Sequence, residues 1–487
     1  MRKFPRAFSA DCAFALYGPF TIAMLAALAW PGRLLAASLG PTPEGGPQAI
    51  PQTTAPQSDI STASTAPESQ PVFEDYAFHG QVTLTEQFHP GFHSAYSGRN
   101  SLDSGRRGNE TFDLTLYAGM RPWAGAEIWI NPEVDQGFGL NNTVGLAGYS
   151  SGEAYKVGAA VPYVRVPRLF LRQTINLGGA VQPIAPDLNQ LGGSETADRL
   201  VATIGKYSIG DIFDTNKFAH DPRNDFLNWA VIDAGTFDYA ADAWGYSYGA
   251  SLELYKAWWT LRAGVFDGSA TPNSKFEELP LGRQLQALAE AEARYTMFGQ
   301  PGKIKLLGFL TRAKLGRFSD LERYFAANPA ASNVDAEVVR RLRNKVGASL
   351  NVEQPITAEL GVFLRAGFSD GRTEAYDFTD IDRSVSGGLS LAGTSWGRPD
   401  DTVGAAYVVD GISKAHKDYL EQGGLGVLVG DGKLTSAGPE QILETFYSYA
   451  VRKGVNVSVD YQLVNHPAYN VDRGPVHIFG GRFHVQF

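Results

Sequence analysis

From about Phe73 to the C-terminus, apolar and polar residues alternate with a period of two. The last segment is the clearest. Phe479, Gly481, Phe483, Val485 and Phe487 take one parity, while Ile478, Gly480, Arg482, His484 and Gln486 take the other. Successive side chains of a strand point to opposite faces, so this segment predicts one aromatic and aliphatic face and one mostly polar face. Phe112, Leu114, Leu116 and Ala118 alternate in the same way with Thr111, Asp113, Thr115 and Tyr117. So do Trp259, Leu261, Ala263 and Val265 with Thr260, Arg262 and Gly264, and Leu360, Val362 and Leu364 with Glu359, Gly361, Phe363 and Arg365. Val455, Val457, Val459 and Tyr461 alternate with Asn456, Ser458 and Asp460. Short Gly-containing connections, Arg121–Gly125 and Arg452–Gly454, fall where antiparallel hairpins need them. The count is roughly sixteen strand-like segments of about ten residues, near the length that crosses a bilayer at a tilt.

Which face is wet decides the class, because a soluble sandwich also alternates. Three features favour a membrane barrel. Aromatic residues gather near strand ends, as in an interfacial girdle. Glu127, Arg172, Arg262, Glu359, Arg365 and Arg482 sit mid-strand on the polar parity, where a wet lumen tolerates charge. Short turns also alternate with long stretches, at residues 132–165, 267–287, 312–340 and 410–440. Outer-membrane barrels have short periplasmic turns and long outer loops. The expected fold is all-β: a transmembrane antiparallel β-barrel over residues 73–487, with short helices in its loops. Val334, Val338, Val339 and Leu342 have the spacing of one such helix.

The N-terminus reads as an address. Arg2, Lys3 and Arg6 precede an apolar stretch from about Ala13 to Trp30, and Leu34–Ser38 supplies small residues for cleavage. Residues 1–37 are therefore an expected signal peptide. It would carry away Cys12, the single cysteine, so rigidity must come from a large core or a closed sheet rather than from disulfides. Residues 38–72 are rich in Pro, Ser and Thr and predict a flexible linker. The net charge is -9 and no basic block stands out, which argues against a nucleic-acid partner.

Four stretches then carry a resemblance. TLYAGMRPWAGAEIWINPEVDQGFGL (115–140), GEAYKVG with RLFLRQTINLGG (152–158, 168–179), IGKYSIGDIFDTNKFAHDPRNDFLNWA (204–230) and the last 44 residues (444–487) resemble the carbohydrate-selective outer-membrane porin family of the OprB type. With YLEQGG (419–424), the likeness runs along most of residues 75–487. It implies a sixteen-stranded barrel integral to a Gram-negative outer membrane and passive uptake of mono- or oligosaccharides. It also implies outer-membrane lipids as surroundings and barrel assembly machinery that reads the C-terminal Phe487.

Sugar hydroxyls need polar partners, and sugar C–H faces stack on aromatic rings. The residues of polar parity that could line such a pore are Glu127, Trp129, Asn131 and Glu133 on one segment and Arg168 and Arg172, flanking Phe170, on another. Arg262, Glu359, Arg365 and Arg482 would add charges from separate strands. Several of these are expected to meet at a constriction bearing both signs of charge and an aromatic platform. The segment around Asp211, Asp214, Asn216, His220, Asp221, Arg223 and Trp229 lacks strand periodicity and reads as a loop folded inward. It is either a constriction loop or a network of side-chain-capped turns. No cofactor or metal is expected: Pro90 and Gly91 break any helix between His89 and His93, and no catalytic motif appears. Two rival classes are a barrel-borne outer-membrane hydrolase, for which no spacing joins a nucleophile to a His, and a secreted soluble carbohydrate-binding β-protein.

Overall fold

The structure, a computed structural model, describes residues 72–154, 158–277 and 282–487. The expected signal peptide (1–37) and the linker (38–72), save Val72, lie outside the described residues. Among the described residues, sixteen antiparallel strands close into a barrel. They are β1 (Tyr76–His89), β2 (Arg107–Met120), β3 (Ala126–Gly137), β4 (Ala159–Ile184), β5 (Gly193–Tyr207), β6 (Ser247–Lys256), β7 (Trp259–Asp267) and β8 (Leu285–Met297). The second half comprises β9 (Gln300–Leu315), β10 (Arg341–Pro355), β11 (Leu360–Ser369), β12 (Arg383–Gly393), β13 (Arg398–Gly411), β14 (Glu440–Arg452), β15 (Val455–Asn465) and β16 (Val476–Gln486). β1 and β16 close the ring, with Gln81 opposite Gln486 and Phe88 opposite Phe479.

The faces are inside out relative to a soluble protein. Val459 is 62% exposed and Phe487 69%, whereas Arg482 is 4% exposed and Arg365 1%. Apolar residues on the outside and charged residues within can be stable only if oil surrounds the cylinder. The sandwich alternative would place the same residues the other way round.

The short turns lie at one end, together with the first barrel residue, Tyr76, and the terminal Phe487. Gly454 closes one of them at φ 72, a conformation that suits glycine. The long connections (90–106, 138–158, 208–246, 268–284, 316–340, 370–382, 412–439 and 466–475) share the other end. Among the described residues, three short α-helices occur in them: Trp229–Ile232, Phe318–Ala327 and Lys414–Glu421. The last begins where the Ser413 hydroxyl accepts from the His416 amide at 3.1 Å. It packs on its neighbour by stacking His416 on Phe318, with ring centroids 4.6 Å apart.

Three expectations change. Residues 132–165 are not one loop, because β3 runs on to Gly137 and β4 begins at Ala159. β4 is 26 residues long rather than about ten, since its hairpin with β5 extends past the neighbouring strands. Val334–Leu342 forms no helix beyond a single tight turn at Ala336–Val339, and Leu342 belongs to β10, where pairing with β9 outcompetes the local helical spacing.

Candidate functional site

The 208–246 connection leaves β5, turns into the barrel and crosses it. Phe213, Phe226 and Phe237 are fully buried there. Its polar groups bond to strands on the far walls. The Asn216 side chain donates to the Asn351 carbonyl oxygen at 2.7 Å, and the Lys217 amide to Glu353 at 2.8 Å. The Asp214 amide donates to Glu290 at 2.8 Å, and the Leu227 and Asn228 amides to Glu444 at 2.5 and 3.1 Å. Arg365 donates to the carbonyls of Val231 (2.7 Å) and Asp214 (3.0 Å). Arg482 donates to those of Pro222 (2.5 Å) and Asp225 (2.9 Å). Gly361 is required here, because any Cβ would lie 2.0 Å from the Phe218 ring. A loop tied to opposite walls narrows the lumen and cannot swing out without breaking charge-assisted hydrogen bonds.

Beside this loop, the inner face of β2–β4 carries a ladder of both signs. Arg165 bonds Glu133 and Asp135. Arg168 clasps Asp211 of the inner loop through two bonds, at 2.6 and 2.8 Å. Arg223, also from the inner loop, reaches Glu153 at 3.2 Å, Asp113 at 3.3 Å and Glu133 at 3.8 Å. Arg172 lies 3.5 Å from Glu127 and donates to the Asn189 carbonyl at 2.8 Å. These four arginine side chains keep 12–14% exposure. The Arg165 guanidinium stands 4.9 Å from the Tyr246 ring centroid and 5.8 Å from that of Trp244, and the Trp244 indole donates to the Tyr163 hydroxyl at 2.8 Å. Forked donors, carboxylate acceptors and aromatic rings are thus gathered on one stretch of wall.

The model of the carbohydrate-selective porin, OprB family, matches residues 99–487. The chain belongs to that family. The porin is an outer-membrane carbohydrate channel, integral to that membrane. Its fold matches the high-pH structure of Pseudomonas putida OprB with a TM-score of 0.64 at 16% identity, over 85% of this chain and 94% of that one. The outer membrane channel DcaP of Acinetobacter baumannii is 12% identical over 85% of this chain and 97% of that one, with a TM-score of 0.47. No curated protein matches the sequence.

The porin brings some of the expected residues together and separates others. Glu127, Glu133, Arg168 and Arg172 all lie on the ladder. Trp129 faces inward but is fully buried: its indole donates to Glu127 at 2.9 Å, and its ring stacks on His79 and covers Gly119, whose Cβ would lie 2.6 Å from it. Asn131 is likewise buried, and its amide group has no partner among the described residues. Arg262 sits on another wall, enclosed by Glu253, Glu290 and Glu292. Arg365 and Arg482 hold the inner loop. Glu359 is not mid-strand: it lies in the 356–359 turn before β11, because pairing of β10 with β11 stops at Pro355–Gly361.

Sequence reasoning missed Arg165, Asp135, Tyr163, Trp244 and Tyr246. Arg165 and Arg168 differ in parity yet face the same way, since β4 carries one extra residue between the pairs Asn131–Arg168 and Glu133–Arg165. Pro132 and Pro167 within the strands are the signal for that bulge.

The inner loop also holds a titratable switch point. The Asp225 carboxylate accepts from the His220 and Asp221 amides at 3.4 and 3.2 Å, and burial together with the Asp221 charge pushes its pKa up to about 7. A raised carboxyl pKa means that the folded state holds the proton longer, so stability falls as pH rises from about 4 through 7. Asp225→Asn is expected to gain melting temperature over the unaltered porin progressively between pH 5 and pH 8. Parallel melting curves across that range would contradict this.

Proposed function

We propose that sugars are selected on the β2–β4 ladder, at the narrowing between that wall and the inner loop. Arg165, Arg168, Arg172 and Arg223 act as forked donors to sugar hydroxyls. Glu127, Glu133, Asp135 and Asp113 act as acceptors, and Trp244 with Tyr163 forms the platform for the sugar's C–H face. The observation that carries this reading is the pairing of every ladder arginine with a carboxylate, with Arg165, Arg168 and Arg172 each also lying over an aromatic ring. Such paired groups exchange one partner for a hydroxyl at small net cost, so binding stays weak and the solute leaves again. Water in the lumen spares the sugar desolvation. Passage is diffusive, and no catalytic step is assigned to the chain.

The same reading includes export by the 1–37 segment and a 38–72 tether on the periplasmic side. Insertion would occur through assembly machinery that recognises Phe487, whose exposed ring crosses Gly80 at the closing seam. Arg168→Ala is expected to weaken block of single-channel current by maltose or glucose roughly tenfold, the value of one charge-assisted hydrogen bond. Unchanged block across glucose, maltose and cellobiose would move selection away from the ladder.

A further inference from the structure

The turn between β4 and β5 (residues 185–192) lies at the short-turn end, yet it does not stand clear of the barrel. β3 stops pairing with β4 at Ala126–Gln173, and β6 with β5 at Tyr255–Arg199, so the hairpin beyond them has no paired strand on either side. Held straight, Thr174–Ile184 would carry the turn roughly 30 Å into the periplasm. Instead Leu188 and Leu191 are buried, in the same apolar cluster as Trp129 and Phe170 of the lumen wall. Gly178 and Gly179 (φ 118 and 87) interrupt the hairpin, and its register shifts on either side of Gly178, which allows the bend. The turn comes to rest on inward-facing groups. Arg172 donates to the Asn189 carbonyl at 2.8 Å, the Leu191 amide donates to Glu127 at 3.4 Å, and the Asp187 carboxylate is hydrogen-bonded by the Gln486 side chain of β16. Its base is pinned at Gly192, whose carbonyl accepts from Arg121 at 3.0 Å and whose amide donates to Glu74 at 2.8 Å.

In the ring, β3, β2 and β1 stand between β4 and β16, so the turn spans the quarter of the mouth directly beneath the β2–β4 ladder. Arg172 and Glu127 face each other across β4 and β3 as the last rung of the ladder on this side, and the turn is bonded to both. Asp187 also lies close enough to Asp221 of the inner loop for the two charges to interact. The way down from the ladder thus runs between the turn and the inner loop. The Asn189 side-chain oxygen is enclosed there without a partner among the described residues, so a hydroxyl arriving at the turn would gain an acceptor. We propose that the 185–192 turn is an exit filter: by its bulk, and through Asp187 and Asn189, it sets which sugars pass from the ladder to the periplasm. From the ladder reading it takes only the place where the sugar is held.

The test uses the full chain in planar bilayers, with residues 179–197 replaced by a two-residue Asn-Gly turn joining the paired Gly178 and Asp198. Maltose is added to one side at a time, and block of the current is resolved into association and dissociation rates. Association from the periplasmic side is expected to rise roughly tenfold, because a steric barrier acts on the on-rate, while association from the extracellular side stays as it was. In vesicle swelling, uptake of maltotriose should rise relative to glucose. An equal change from both sides, no change from the periplasmic side, or an unaltered swelling ratio would overturn the proposal. Arg168→Ala acts on the held sugar and so alters block from both sides, which keeps a failure of the ladder reading distinct from a failure of the filter. Should the shortened hairpin fail to insert, Asn189→Cys in a Cys12→Ser background decides. A charged thiosulfonate reagent added from the periplasmic side is expected to cut the current, and maltose to slow the reaction. Modification that leaves current and sugar block unaltered, or that maltose does not slow, would equally overturn it.

Discussion

Arg365→Ala is expected to raise single-channel conductance, to make it noisier, and to lower stability by about 3–5 kcal/mol, the cost of breaking a buried charge pair. Arg365 stands on β11 and reaches the inner loop at three points: the Val231 and Asp214 carbonyls and, at 3.3 Å, the Asp214 carboxylate. Without it, the Val231 carbonyl in the middle of the barrel loses its Arg365 donor, and the Asp214 carbonyl keeps only the Asn351 side chain at 2.9 Å. Asp214 keeps the Ala234 amide at 2.6 Å and the Asn351 side chain at 2.8 Å, but no counter-charge in contact. The loop would keep its ties to Arg482, Glu444, Glu353, Glu290 and Arg168 but lose its anchor on β11, and would sample wider positions in the lumen. Arg365→Lys keeps the charge but not the fork and should fall between the two. Planar-bilayer recordings and thermal unfolding in detergent check both halves. An unaltered current with a lowered melting temperature would show that the loop does not set the pore width.

Arg262→Met is expected to be as damaging to stability while leaving conductance nearly unchanged. Arg262 donates to Glu253, Glu290 and Glu292 at 3.0, 2.8 and 2.9 Å. An apolar side chain of similar length would leave Glu253 and Glu290 buried without their counter-charge beside Glu292, which keeps Arg294 at 2.7 Å, and a loss of about 3–5 kcal/mol follows from the uncompensated charge. The damage should come from the remaining acids and not from the missing arginine. Adding Glu253→Gln, Glu290→Gln and Glu292→Gln to Arg262→Met should therefore restore most of the lost stability. The temperature at which the heat-modifiable gel band shifts gives the readout. If the fourfold variant melts no higher than the single one, packing around Arg262 matters more than its charge.

These two arginines mark the boundary of what could be read from the chain. Both were placed on the lumen face from parity alone, and both face inward. Their partners were out of reach of that reasoning, because Val231 and Asp214 approach Arg365 only after the 208–246 connection has crossed the barrel. Similarly, the spacing of Trp129 suggested an open platform, but the close approach of Gly119 on β2 and His79 on β1 buries it. The ladder was half legible. Glu133 and Arg168 were visible, while Arg165 was hidden behind a bulge that inverts parity.

The amino-acid sequence by itself determined the barrel, the sidedness of its wall and the family, because alternation is a property of adjacent residues and needs no knowledge of distant ones. Only the tertiary structure decided which charges meet and which are consumed in holding the inner loop. Those depend on strand register and loop path, which bring together residues tens or hundreds of positions apart and so leave no periodic trace in the chain.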